Sequence, residues 1–145
     1  MANYKKASVI VVAASTGTQS ITNAVSAAPL QFTETTDQIN YANTTSAFDG
    51  MTFTTPYTGF YQIAFSLYWG NNAQTAGFVA VNRMSDFAVI ALLITGAMGA
   101  GEMSNATRVI KLTKGDQIRL YCAQTSGADR IPTATLSIVR VGNAS

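Results

Sequence analysis

The clearest pattern of hydrophobic and polar positions in this chain lies between Gly59 and Trp69. Every second residue there is large and apolar, whereas the residues between them form a mixed, uncharged set. The first set is Tyr61, Ile63, Phe65, Leu67 and Trp69, and the second is Phe60, Gln62, Ala64, Ser66 and Tyr68. Because successive side chains of a strand point to opposite faces, the pattern predicts a long strand with one apolar face. The second face still carries two aromatic side chains, so we expect it to be covered by something beyond its own domain.

Shorter segments of the same character, separated by turn residues, predict about nine or ten strands and no helix. Besides the long strand, strands are expected at residues 9–13, 29–33, 39–41, 51–55, 77–83, 87–95, 107–112, 117–123 and 132–141. This spacing is typical of an all-β sandwich or barrel. The apolar run at 87–97 is shorter than the roughly 20 residues that span a bilayer, so it is predicted to be a buried strand.

The length of 145 residues fits a single globular domain. We expect an N-terminal strand and arm at residues 1–28 and the main domain at residues 29–145. Lys5 and Lys6 precede an apolar run, as in a signal peptide, but that run is short and β-branched, which favours a first strand. The arm is rich in Ser, Thr and Ala, and such a segment can pair with an edge strand of a neighbour.

The composition is unusual in its low charge. Only 11% of the residues are Asp, Glu, Lys or Arg, against about 25% in ordinary soluble domains. A weakly charged surface favours a protein that packs against copies of itself or against a scaffold. The net charge of +2 is small, and no basic stripe with interleaved aromatic residues is present, so we predict no nucleic-acid partner and no membrane partner.

The side chains needed for most catalytic and metal chemistry are missing. The sequence contains no histidine, which excludes Ser–His and Cys–His nucleophiles and removes the commonest metal ligand. A glycosidase-like pair of carboxylates stays open, although the seven acidic residues lie in or beside predicted turns, where they cap backbone groups. The glycine-rich segment 96–101 lacks the Lys-Ser/Thr ending of a phosphate loop. We therefore predict no enzyme, no catalytic residue, no cofactor and no metal, with a calcium site on turn carboxylates left open.

Two further residue patterns are predicted to be structural. Gly115-Asp116 lies between apolar segments, where Gly supplies a positive φ for a tight turn and Asp accepts hydrogen bonds from backbone N–H groups. Cys122 continues the alternation of Ile118 and Leu120, so it is interpreted as a small buried side chain rather than a reactive thiol.

Three blocks of residues, in this order, resemble the jelly-roll head domains shared by complement component q and tumour necrosis factor. They are Phe53-x-x-Pro56-x-x-Gly59-x-Tyr61-x-Ile63, Leu112-x-x-Gly115-Asp116-x-Ile118-x-Leu120 and the closing strand Ala134-Thr135-Leu136-Ser137-Ile138. The resemblance extends from about residue 29 to residue 141. It implies an all-β, ten-stranded, two-sheet jelly-roll sandwich that assembles as a homotrimer.

In that family the inner sheet, which contains the first, long and last strands, packs around the threefold axis. The resemblance therefore implies that Phe60 and Tyr68 of the long strand, with Val139 and Val141 of the last strand, lie in a trimer interface. Permanent interfaces of this kind commonly bury 2,000 Å² or more.

The chain departs from those relatives in ways that bear on function. We expect no collagen stalk, membrane anchor or secretory signal, and in this respect the chain is more similar to the stand-alone trimers of this fold on bacteriophage particles. The leading expectation is thus a capsid decoration (cement) protein, whose partner is the major capsid protein or another virion protein. It would be located on the capsid surface, and in the host cytoplasm during assembly. The alternatives are a receptor- or glycan-binding head of a phage fibre and a secreted cytokine- or complement-like ligand.

Overall fold

The computed structural model describes residues 9–15, 18–32, 34–39, 47–73 and 76–143. Within these ranges the chain forms strands and no helix, so this part of it contains no helix long and apolar enough to cross a membrane. The strands are β1 (Val9–Ala14), β2 (Ala24–Pro29), β3 (Glu34–Ile39), β4 (Phe53–Thr54), β5 (Gly59–Tyr68), β6 (Ala76–Arg83), β7 (Val89–Thr95), β8 (Met103–Leu112), β9 (Gln117–Thr125) and β10 (Thr133–Asn143).

The strands form two antiparallel sheets that pack face to face. The first sheet has the order β3-β1-β10-β5-β8, and the second has the order β2-β9-β6-β7, with β4 also paired to β9. The first, long and last strands therefore lie side by side in one sheet, as the resemblance implied. The predicted all-β, two-sheet jelly-roll architecture is confirmed.

The hydrophobic core lies between the two sheets, and β5 contributes its apolar face to it. Tyr61 and Ile63 are fully buried, and Trp69 directly after the strand is 3% exposed. Their neighbours alternate to the outside, which confirms the predicted two-faced strand. The ring of Tyr61 meets that of Phe53 edge to face, with centroids 5.6 Å apart. Cys122 is also fully buried, and burial raises the pKa of its thiol to about 12, as expected for a structural side chain.

Two strands near the N-terminus are displaced from their predicted positions. Strands were expected at 29–33 and 39–41, but β2 ends at Pro29 and β3 ends at Ile39. The apolar residues that suggested the first of these, Leu30 and Phe32, lie in the connection and are buried there without belonging to a strand. Residues 40–41 lie outside the described residues.

The apolar run at 87–97 does contain a strand, β7, but the prediction that this strand is buried is wrong. β7 is the edge strand of the second sheet, and its pairing with β6 shifts register twice. Only Leu93 is buried, whereas Val89 is 58% and Leu92 44% exposed. A run of consecutive apolar residues does not distinguish a central strand from an edge strand, because hydrophobicity carries no information about pairing partners.

Much of the N-terminal arm pairs within the chain. β1 lies between β3 and β10 in the first sheet, and β2 pairs with β9 in the second. Residues 9–14 and 24–29 therefore already have partner strands in their own molecule, and residues 1–8 lie outside the described residues.

Candidate assembly interface

More than half of the exposed large hydrophobic residues in the described part of the chain lie in the first sheet. They are Ile10, Val12, Phe60, Met103, Val109 and Val141. We call the solvent-facing side of this sheet the open face. Its described side chains also include Gln62, Ala64, Ser66, Tyr68, Asn105, Thr107, Lys111, Thr135, Ser137 and Val139.

An apolar row crosses four strands of the open face. The strand register places Ile10 opposite Val139, Val139 opposite Gln62, and Gln62 opposite Val109. Side chains directly opposite each other on one face of an antiparallel pair are in contact distance, so the four residues form one row across the sheet. Ile10 is 37% and Val109 56% exposed. The row is interrupted only by the neutral amide of Gln62.

The neighbouring part of the open face is polar but uncharged. The hydroxyl groups of Ser66 and Thr135 form a hydrogen bond across β5 and β10, and Asn105 lies opposite Ser66 on β8. Of the described side chains on this face, Lys111 alone is charged, and it lies opposite Phe60. The side chains that β1, β5, β8 and β10 contribute to this face can therefore be buried without leaving a carboxylate unpaired.

The structure places all four predicted interface residues on neighbouring strands of this sheet. Phe60 and Val141 are 40% and 51% exposed, and Tyr68 and Val139 are half-buried. Phe60 and Tyr68 lie at opposite ends of β5, eight residues apart, which is roughly 26 Å at 3.3 Å per residue. Val141 lies where the β10–β5 register shifts, between Arg140 and Gly142. Val139 is the member of the set that belongs to the apolar row, and the interface role of all four stays a prediction.

Sequence reasoning missed the residues that β1 and β8 contribute to this face. Ile10 and Val12 were not found because β1 is apolar on both faces, so its alternation does not reveal which side is open. Val109 and Met103 are apolar residues at exposed positions of β8. These two apolar residues alternate with polar neighbours in the sequence. That pattern predicts their place on the open face only once β8 is known to pair with β5.

The start of β5 is fixed to the end of β10 by a set of close contacts. The hydroxyl of Tyr61 donates a 2.5 Å hydrogen bond to the carbonyl of Tyr57, and burial raises the pKa of this phenol. The Nη2 of Arg140 donates to the carbonyl of Thr58 at 2.7 Å, and the guanidinium lies 5.8 Å from the centre of the Tyr57 ring. A Cβ on Gly59 would lie 2.5 Å from the backbone carbonyl oxygen of Gly142, so only glycine fits. These contacts hold two central strands of the open face in register.

The Gly115-Asp116 turn fixes the connection between β8 and β9. Gly115 has φ +93°, and its N–H donates to the carbonyl of Thr55 at 2.8 Å. The Oδ2 of Asp116 accepts a 2.9 Å hydrogen bond from the N–H of Thr113. The turn therefore contacts the segment that leads into β5. Gly115 and Asp116 both stabilise the fold through these hydrogen bonds.

Carboxylates in the described part of the chain act as backbone caps. The acceptors and their donors are Asp49 with Met51 and Thr52, Asp86 with Ala88, Glu102 with Gly99, Asp116 with Thr113, and Asp129 with Asn23. The interpretation as caps is confirmed for these five acidic residues. It is wrong in position for Glu34 and Asp37, which lie within β3 and not in a turn. No three His, Cys, Asp or Glu residues within the described ranges are grouped so that they could hold a metal ion.

Comparison with known proteins identifies the fold. No protein-family model and no curated protein matches the sequence. The globular domain of zebrafish complement 1qA matches with a TM-score of 0.55 and 11% identity, covering 96% of this chain and 100% of that one. Eiger TNF from S. frugiperda matches with a TM-score of 0.59 and 14% identity, covering 94% of each chain. Murine APRIL matches with a TM-score of 0.58 and 13% identity, covering 94% of this chain and 100% of that one. The chain has the jelly-roll fold shared by the globular head of complement 1q and the tumour necrosis factor ligands.

Proposed function

We propose that this chain is a non-enzymatic structural protein that assembles as a homotrimer through the open face and decorates a bacteriophage capsid. The observation that carries the proposal is the apolar row of Ile10, Val139 and Val109 on a sheet face to which β1, β5, β8 and β10 contribute no carboxylate. Contiguous exposed apolar surface on a folded protein marks an interaction site.

The size of the open face supports a stable contact. Five strands spaced about 4.8 Å apart, with ten residues at about 3.3 Å along β5, give an area of about 800 Å². A standard protein–protein interface buries about 800 Å² on each partner. The face is therefore large enough for a standard specific interface of about 1,600 Å² in total, which is below the 2,000 Å² or more that permanent interfaces commonly bury.

The capsid role rests on composition and on a second apolar surface. Only 11% of the residues are charged. The chain therefore has little of the mixed surface charge that keeps a monomeric protein soluble. Val89 and Leu92 of β7 leave a second exposed apolar stripe away from the open face. A protein with two such surfaces can join copies of itself through one and the major capsid protein, or another virion protein, through the other.

Assembly is tested by a pair of matched substitutions. Val139→Asp puts a carboxylate at the centre of the apolar row, where assembly would bury it without a partner. Val89→Asp introduces the same charge on the exposed edge of the second sheet. In sedimentation equilibrium at micromolar concentration we expect a trimer for the wild type and for Val89→Asp, and a folded monomer for Val139→Asp. A monomeric wild type, or a trimeric Val139→Asp variant, would show that the open face is not the interface.

Capsid binding is tested by adding the purified trimer to phage particles that lack it. We expect saturable binding and a rise in the temperature at which the particles release their genome, because a ligand of the assembled state stabilises that state. Trimers that bind host cells and leave particle stability unchanged would instead identify a fibre head. Val89→Asp and wild type should be compared in the same assay, since that substitution alters the second apolar surface.

A further inference from the structure

A groove lies between the β6–β7 hairpin and the β8–β9 turn, and none of its lining residues belongs to the open face. Its volume is about 170 Å³, and it is lined by Met84, Ser85, Gly115, Asp116 and Gln117. Clefts for drug-sized ligands measure about 300–1,000 Å³, so this one suits a smaller ligand such as a single six-membered ring.

The walls of the groove are held in place by backbone hydrogen bonds. The N–H of Met84 donates to the carbonyl of Gln117 at 2.8 Å, which ties the hairpin to β9. The N–H of Gly115 donates to Thr55, and Asp116 caps its own turn through Thr113. The groove is therefore formed before any ligand enters, which lowers the entropic cost of binding.

The lining combines neutral and acidic polar groups with one apolar side chain. Ser85 offers a hydroxyl, Gln117 an amide and Asp116 a carboxylate, while Met84 offers an apolar surface. None of the five lining residues is cationic, which disfavours an anionic ligand. A single carboxylate does not make a metal site, and the described residues contain no metal-binding group. Hydroxyl groups of a neutral ligand, in contrast, can donate to the carboxylate and exchange hydrogen bonds with the amide and the serine.

An exposed aromatic residue stands on the same hairpin in a strained conformation. Phe87 follows Ser85 by two residues, has φ 56° and is 67% exposed. The left-handed region costs an L-residue about 1–2 kcal/mol, and an exposed ring recovers little of this by packing. The conformation is fixed by Asn82, whose Nδ2 donates to the Phe87 carbonyl at 3.3 Å, and by Asp86, which accepts from Ala88. Strain of this kind is characteristic of functional sites.

We propose that this groove binds one neutral pyranose residue of a glycan. The apolar face of the sugar ring packs on Met84, and its hydroxyl groups bond to Ser85, Asp116 and Gln117. The site goes beyond the proposed decoration role and does not depend on it, because all of its residues come from one chain. In a trimer, three grooves would bind a glycan-coated surface multivalently.

The proposal is tested by titrating the ¹⁵N-labelled full chain with the methyl glycosides of glucose, galactose, mannose and N-acetylglucosamine. We expect at least one of them to shift the amide signals of Ser85, Gly115 and Gln117 saturably, with a Kd of about 1 mM, as suits one small ligand. Ser85→Trp fills the groove and should weaken binding about tenfold or more. Gln117→Ala removes one polar partner and should weaken it less. Thr95 of β7 is exposed and does not line the groove, so the control variant Thr95→Ala should bind as the wild type does.

Three results would overturn the proposal. The first is that none of the four glycosides shifts the groove amides. The second is that the shifts persist unchanged in both Ser85→Trp and Gln117→Ala, with the remaining spectrum showing that these variants are folded. The third is that methylammonium alone shifts the groove amides, which would identify an amine site at Asp116. None of these outcomes affects the sedimentation test of Val139→Asp, so the two proposals fail independently.

Discussion

Gly59 is predicted to be the least replaceable glycine of the first sheet. A Cβ at this position would lie 2.5 Å from the carbonyl oxygen of Gly142 and 2.6 Å from the Nε of Arg140. The first of these atoms belongs to the backbone of β10, so the clash cannot be relieved by rotating a side chain. Gly59→Ala must therefore displace the end of β10 from β5.

The magnitude follows from two losses. Forcing an extra methyl group into a packed site costs about 1–3 kcal/mol. Displacing β10 also breaks the 2.7 Å hydrogen bond from Arg140 to the Thr58 carbonyl, and a hydrogen bond to a charged group contributes about 1.5–3 kcal/mol. We expect Gly59→Ala to lower the free energy of unfolding by about 3–5 kcal/mol, out of the 5–15 kcal/mol typical of a domain.

The chain supplies a matched control on the neighbouring strand. A Cβ on Gly142 would meet only the side chain of Phe60, at 3.7 Å, which is an ordinary contact. Gly142→Ala should therefore change stability by less than about 1 kcal/mol in either direction. Both variants are compared with the wild type by urea unfolding and by thermal melting at one protein concentration, and Gly59→Ala should melt roughly 6–20 °C lower. Equal stability of the two variants would refute the steric argument and the arrangement of β5 and β10 at this end.

Three further predictions concern single side chains. Hydrogen bonds from the N–H groups of Thr52 and Met51 hold the pKa of Asp49 below its ordinary value of 3.8. Its stabilising effect is therefore full above about pH 4 and is lost as pH falls through the depressed pKa, so urea midpoints of wild type and Asp49→Asn should converge toward low pH. Cys122, fully buried with its pKa raised to about 12, should resist a thiol reagent at pH 8 in the native protein and react when urea unfolds the chain. Phe87→Asn should raise the free energy of unfolding by up to about 1 kcal/mol, and with it the urea midpoint, because Asn tolerates the left-handed conformation better; a lower midpoint would show that the Phe87 ring contributes packing.

The sequence predicted those parts of the fold whose signal is local. β5 could be assigned because its two faces differ strongly, and the Gly115-Asp116 turn because a positive φ and a side-chain acceptor are properties of adjacent residues. β2 and β3 were misplaced because the nearby apolar residues Leu30 and Phe32 fill the core from a connection. Periodicity marks which residues are buried, but it does not mark which of them also belong to a strand.

The candidate sites depend on which distant segments of the chain lie next to each other. Strand pairing of this kind could not be predicted from the sequence pattern. The apolar row joins Ile10, Val139 and Val109 only through the order of β1, β10, β5 and β8. The groove likewise joins a hairpin at 84–85 to a turn at 115–117. In both cases each segment alone has an ordinary composition, and the chemistry arises from their juxtaposition.

Because the groove and the open face use different residues, assembly and glycan binding should be separable in one variant. Val139→Asp changes the open face and leaves residues 84–85 and 115–117 unaltered, so the affinity of the resulting monomer for a soluble methyl glycoside should equal that of the trimer. Binding to a densely glycosylated surface should in contrast fall by about 10²–10⁴-fold, since three linked sites become one. The two affinities can be measured by NMR titration and by biolayer interferometry on the same sample. A parallel loss of affinity for the soluble glycoside would mean that a second subunit completes the groove, and that the site does not belong to a single chain.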